Sequence, residues 1–158
     1  MLSRLYTAFK NVIENTKYKI PFYILLYTGA RGSEYHSIEF NFNNNTIKIK
    51  NSKLKQHQKE KFRIIPILKP LLPYKNEFLT NNSKNVTLND LEYRFKLFNG
   101  QGRLNWLRHT FQTYVMMQAP NELVNLWSGH TLGKDMTSKV YLHYPIEYQQ
   151  KIASNITY

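Results

Sequence analysis

The spacing of apolar positions changes period twice along the chain. Leu2, Leu5, Phe9, Val12 and Ile13 recur at helical spacing while Arg4, Lys10 and Glu14 fall outside their stripe, which predicts an amphipathic helix over 2–16. Residues 21–29 are nearly all apolar and predict a second helix, with Pro21 suited to its first turn and Gly29 to its end. A short helical piece is expected over 34–38. The period then falls to two. Residues 39–42 and 46–50 alternate polar and apolar side chains around Asn43-Asn44-Asn45, which predicts a β-hairpin, and 62–67 predicts a third strand. Between the last two strands, 51–61 is very polar and carries Lys53, Lys55, Lys59 and Lys61, as a long basic hairpin tip would. Beyond Pro66 the helical period returns over 69–79, 87–98 (with Thr87 as N-cap), 104–118, 120–128 and 134–143. No internal repeat or linker interrupts this order. It predicts one domain over 1–158 of the α+β class, mostly α, with helices packed around a small three-stranded antiparallel sheet.

Composition narrows the function. A chain of 158 residues fits one domain and can bury a core without covalent staples. At 42% hydrophobic and 20% charged residues it is not a disordered protein. It has no cysteine, which excludes disulfides, Cys-ligated zinc, iron–sulfur clusters and thiol catalysis. The longest apolar stretch, IPFYILLY from Ile20, is far short of the roughly 20 residues a spanning helix needs, and the N-terminus has no signal-like apolar region. The expectation is a cytoplasmic protein with no membrane partner. With 22 Lys+Arg against 10 Asp+Glu the net charge is +12, which points to a polyanion, nucleic acid before an anionic membrane surface.

Four segments carry the candidate chemistry. They are TGARGSE at 28–34, the lysine-bearing NSKLKQHQKEKFRIIPI, LRHTFQT at 107–113, and SGH at 128–130 followed by TSKVYLH at 137–143. In order and type they resemble the catalytic domain of the tyrosine recombinases, the phage and viral integrase superfamily, whose boxes read TGxRxSE, HxLRHTFAT, LGH and TTxxYxH. The 11-residue step from His130 to Tyr141 matches as well. The resemblance covers roughly residues 5–150. One such motif is weak, whereas four in the right order are specific. A virus, plasmid or other mobile element, archaeal ones included, is the expected source.

The resemblance implies the role of each residue. Tyr141 would attack the scissile phosphate and form a 3′-phosphotyrosyl bond, with no ATP, metal or cofactor needed. Arg31 and Arg108 would hold the phosphate oxygens, a task suited to planar, permanently charged guanidiniums. His130 would donate a hydrogen bond to the phosphate. A hairpin lysine would protonate the leaving 5′-oxygen; Lys53 is the first choice, then Lys55 and Lys59. Lys55, Lys59, Lys61 and Arg103 are expected to contact DNA. One position departs from the pattern: Asn105 stands where HxLRH has its first histidine, and an asparagine cannot take a proton at neutral pH. Activity is therefore expected to be reduced but present.

Blander roles are expected elsewhere. His109 reads as a buried structural histidine, Trp106 and Trp127 as core, and His57 as solvated. The partner is double-stranded DNA, with self-association on it as a dimer or tetramer. Tails such as 145–158 in this family pack on a neighbouring subunit. The family's N-terminal core-binding domain is expected to be absent from this sequence. Two other readings remain open: a non-catalytic DNA-binding relic or regulator of the same fold, and a type IB topoisomerase with the same phosphotyrosine chemistry.

Overall fold

In the computed structural model the described residues are 2–52, 62–80, 85–99, 103–130 and 144–158. Their order is α1 (Leu2–Ile13), α2 (Lys19–Thr28), a 3-10 helix (Gly32–Ser37), β1 (Glu39–Asn41), β2 (Thr46–Lys50), β3 (Phe62–Pro66), a second 3-10 helix (Lys69–Tyr74), α3 (Lys75–Thr80), α4 (Leu88–Asn99), α5 (Asn105–Met116), α6 (Asn121–Ser128) and α7 (Ile146–Ala153). The class is α+β and mostly helical, with a small antiparallel sheet, as the periodicity predicts.

The apolar run of α2 is apolar because it has almost no exposed face: every residue from Ile20 to Thr28 is buried. It packs along α5, which contributes Leu107, Phe111 and Val115. Phe9 of α1 meets Phe22 of α2 and Phe95 of α4 edge-on, and these rings close one side of the core. The helix α1 stops at Ile13 because Thr16 turns back and its hydroxyl donates to the Ile13 carbonyl at 2.9 Å. The expected helix over 69–79 is two elements, since Pro70 and Pro73 favour a tighter 3-10 stretch before α3. At the start of α4, Thr87 caps as expected: the Asp90 N–H donates to its Oγ1 and the Thr87 N–H donates to the Asp90 carboxylate.

The sheet runs β1-β2-β3, all antiparallel. The Asn43-Asn44-Asn45 turn works through side chains: Asn41 Oδ1 accepts from the backbone N–H of Asn43 and Asn44, and Asn45 takes the left-handed φ of 51° that asparagine tolerates. Ile47, Ile49 and Ile65 face the core. Arg63, paired with Ile49 in the register, lies in the same inward row and is 3% exposed.

Residues 134–143, expected as a helix, lie outside the described residues. The C-terminal tail packs on the rest of the chain. It forms α7, which packs on the chain's own β3, and buries Ala153 and Ile156. Trp127 Nε1 donates to Gln149 Oε1 at 2.8 Å, and the Tyr158 ring stacks on Tyr114. These contacts hold the tail on its own subunit. Among the described residues no helix is long and apolar enough to cross a membrane.

Candidate phosphate-binding site

Two helices end on one guanidinium. At the end of α2 the Thr28 hydroxyl donates to the Ile24 carbonyl and accepts from the Ala30 N–H. Gly29 then turns the chain through a left-handed φ of 62°, where a Cβ would sit 2.4 Å from the Phe111 ring. The carbonyl so exposed accepts from Arg108 Nη1 at 2.8 Å. At the end of α6 the pattern repeats: the Ser128 hydroxyl donates to the Val124 carbonyl, Gly129 takes a φ of 68°, and the Ser128 carbonyl accepts from the same Nη1. Helix carbonyl ends are the negative ends of their dipoles, so both favour a cation there. This is the physical content of the TGAR and SGH motifs.

Arg108 is 3% exposed. Burial, and next the charge of Arg31, bring its pKa down to about 10, with Glu34 opposing and Arg63 adding, so it stays cationic at neutral pH. Among the described residues its Nη2 is buried without a hydrogen-bond partner. Such a group is costly to leave unmatched and is a place where an anion's oxygen would be favoured.

Glu34 is the carboxylate of the cluster. It is 1% exposed and accepts from the Arg31 N–H, Arg31 Nη1, Arg63 Nη2, and both the N–H and hydroxyl of Ser52. Burial alone would raise its pKa, but the Arg63 hydrogen bond and charge, then the backbone donors of Arg31 and Ser52, hold it down at about 2. All three Arg63 nitrogens are bonded: Nε donates to the Trp127 carbonyl at 3.0 Å, Nη1 to Asn51 Oδ1 at 2.6 Å and Nη2 to Glu34 at 2.8 Å. A Cβ on Gly129 would lie 2.6 Å from Arg63 Nη1, so glycine is required by contact as well as by φ. Two guanidiniums, Arg31 and Arg63, pair with this carboxylate and a third, Arg108, lies within its field, a local surplus of 3 − 1 = +2 among the described residues.

Imidazoles and amides form the rim. His130 follows Gly129, its backbone N–H donates to the Asn125 carbonyl, and its Nε2 lies 2.7 Å from Gln112 Nε2. Partial desolvation, then the charges of Arg108, Arg31 and His109, lower its pKa below the ordinary histidine value. On α5, Asn105, His109 and Gln112 are spaced i, i+4, i+7 and share a face. Asn105 Nδ2 lies 2.9 Å from His109 Nε2, and both residues are exposed. His109 is therefore not the buried structural histidine expected: Leu107, Arg108 and Phe111 take the inward positions of α5 and leave His109 outside.

Of the expected site residues, Arg31, Arg108 and His130 come together, and Asn105 lies on the rim of the same helix face. Arg103 is exposed just ahead of α5. Tyr141, Lys53, Lys55, Lys59 and Lys61 lie outside the described residues. Ser52, the last described residue before the lysine-rich segment, is tied to Glu34 by two hydrogen bonds. Trp127 is fully buried and Trp106 packs against Phe95. Sequence reasoning did not single out Arg63 or Gln112, and gave His109 only a structural role. The signal for Arg63 was an arginine at an inward position of an alternating strand, which demands a buried partner. Among the described residues no group of His, Asp and Glu could hold a metal ion.

Comparisons with family models, with curated proteins and with solved structures returned no match for this chain.

Proposed function

We propose that this chain is a tyrosine-recombinase catalytic domain that cuts and rejoins double-stranded DNA through a 3′-phosphotyrosyl intermediate. The observation that carries the reading is the surplus of positive charge where Arg31, Arg63 and Arg108 gather near the one carboxylate of Glu34, with Arg108 Nη2 unpartnered among the described residues and His130 beside it. A phosphodiester in transfer gathers negative charge on its equatorial oxygens, and preorganised cationic donors stabilise that charge without reorganising. In this reading Tyr141 is the nucleophile and Lys53 the general acid. The first shares a short segment with His130, and the second follows Ser52, which is bonded to Glu34. Self-association on DNA, in the cytoplasm or nucleoid of the host cell, belongs to the same proposal.

A second reading keeps the fold and loses the chemistry: a DNA-binding regulator. Asn105, which cannot accept a proton, favours it. Suicide duplexes separate the two. A pool of nicked duplexes of randomised sequence is incubated with the full chain and with Tyr141→Phe. A covalent protein–DNA species with the native chain alone is the expected result. DNA retention without a covalent species in either protein would establish the regulator reading.

A further inference from the structure

We propose that Gln112 is the positioning residue of His130: it holds the imidazole as the tautomer protonated at Nδ1, so that Nδ1–H is the donor offered to the phosphate. This rests on the recombinase reading of the site, in which His130 donates to a phosphate oxygen. A neutral imidazole has one N–H and one bare nitrogen, and the hydrogen bond made at one nitrogen decides which is which. The partner of His130 Nε2 is Gln112 Nε2, at 2.7 Å.

The orientation of that amide follows from its other neighbour. Gln112 Nε2 also lies 3.2 Å from Ser128 Oγ. The Ser128 hydroxyl gives its one proton to the Val124 carbonyl, at 2.6 Å. It therefore meets Gln112 as an acceptor, and the group that faces it is the NH₂. One amide hydrogen goes to Ser128 Oγ and the other to His130 Nε2. Nε2 is then the bare nitrogen of the neutral ring, and the proton sits on Nδ1. Reversing the amide would set its carbonyl against Ser128 Oγ, and the hydroxyl would have to leave the Val124 carbonyl to meet it.

Ser128 ties these bonds to the arginine site. Its hydroxyl receives the Gln112 amide while its carbonyl receives Arg108 Nη1. His130 follows two residues later, with its backbone N–H donating to the Asn125 carbonyl at 2.9 Å. The helix end that seats Arg108 therefore also sets the ring beside it. The charged and titratable groups acting on His130 among the described residues are Arg108 and His109 on α5 and Arg31 after α2. All of them are basic, and an amide donor at Nε2 works in the same direction, against the imidazolium. The ring is thereby kept neutral, with a single N–H to give.

The test is the nitrogen NMR spectrum of the full chain labelled at histidine, recorded above the pH at which His130 titrates, with its signals assigned by their loss in His130→Asn. A bare and a protonated ring nitrogen resonate far apart, so the tautomer is read directly and without DNA. Native His130 should show a protonated Nδ1 and a bare Nε2. In Gln112→Leu the proton should move to Nε2, the nitrogen that histidine favours in water. Gln112→Glu should also place it on Nε2 and shift the titration to higher pH, because a carboxylate accepts from the imidazolium. Ser128→Ala, which frees the amide to turn, should give a mixture of the two tautomers. A native ring protonated at Nε2, or a Gln112→Leu ring unchanged from the native one, would overturn the proposal whatever the chain does to DNA. Tyr141→Phe bound to a nicked duplex reads the other half: the Nδ1 signal should move and the Nε2 signal should stay. Movement at Nε2 with Nδ1 unmoved would overturn the choice of donor and leave the recombinase reading intact. No covalent species from the native chain on suicide duplexes would remove that reading, and the ring's phosphate role with it.

Discussion

At the scale of the residue, Glu34 organises the site. It collects donors from Arg31, Ser52 and Arg63, elements that are far apart in sequence, and it is the sole carboxylate they share among the described residues. Removing one member of a buried ion pair strands the other charge, so Glu34→Gln should destabilise the protein by about 3–5 kcal/mol in urea unfolding. Its pH dependence has a definite sign. The folded pKa, about 2, is below the ordinary 4.5, so the stabilisation from Glu34 is complete above that ordinary value and is lost as pH falls toward 2. His130 works in the same direction at higher pH. Its folded pKa is also lowered, so protonation favours the unfolded chain once pH falls below the ordinary histidine value. Arg31, Arg108 and His130 were legible in the sequence because short motifs hold them. Arg63 was not, because its partners Glu34 and Trp127 lie 29 and 64 residues away and only the folded chain brings them to it.

At the scale of the element, the sequence was most informative where one local rule governed. Period-two alternation located the strands, and Gly29 and the predicted end of the 120–128 helix marked two helix ends that the structure uses to seat Arg108. The tail's helix was not legible in the sequence because its buried face is not made of large apolar residues. The residues of α7 that turn fully inward are Gln149 and Ala153, and Gln149 is buried because it receives the Trp127 indole N–H and donates to the Tyr144 carbonyl. A glutamine flanked by polar residues carries no stripe to read. Gln149→Ala should therefore cost about 1–3 kcal/mol in an unfolding measurement, the penalty for an indole N–H left buried and unpaired. A loss confined to assembly on DNA, with the monomer's stability unchanged, would return the tail to the intersubunit role expected of it.

At the scale of the whole molecule, the net charge of +12 divides into two parts. One part is internal: three arginines gathered near the single carboxylate of Glu34, which in the proposed reading receive a phosphate. The other is the remaining basic surface, which would follow a duplex backbone without reading its bases. With about 6–8 phosphate contacts, the logarithm of the DNA affinity should fall against the logarithm of salt concentration with a slope on the order of −5 to −7. A nearly flat dependence would exclude backbone binding. The fold class was legible from periodicity, while the site was legible only as a set of separate motifs. Their convergence depends on two helix ends and an inward strand position meeting in space. The most direct test of the account is to isolate the covalent DNA–protein species, digest it, and locate the nucleotide-bearing residue by mass spectrometry. The account predicts a 3′-phosphate on Tyr141, formed by the native chain in the presence of a metal chelator and absent from Arg108→Lys. Attachment at any other residue, or no attachment on any duplex in the pool, would contradict it.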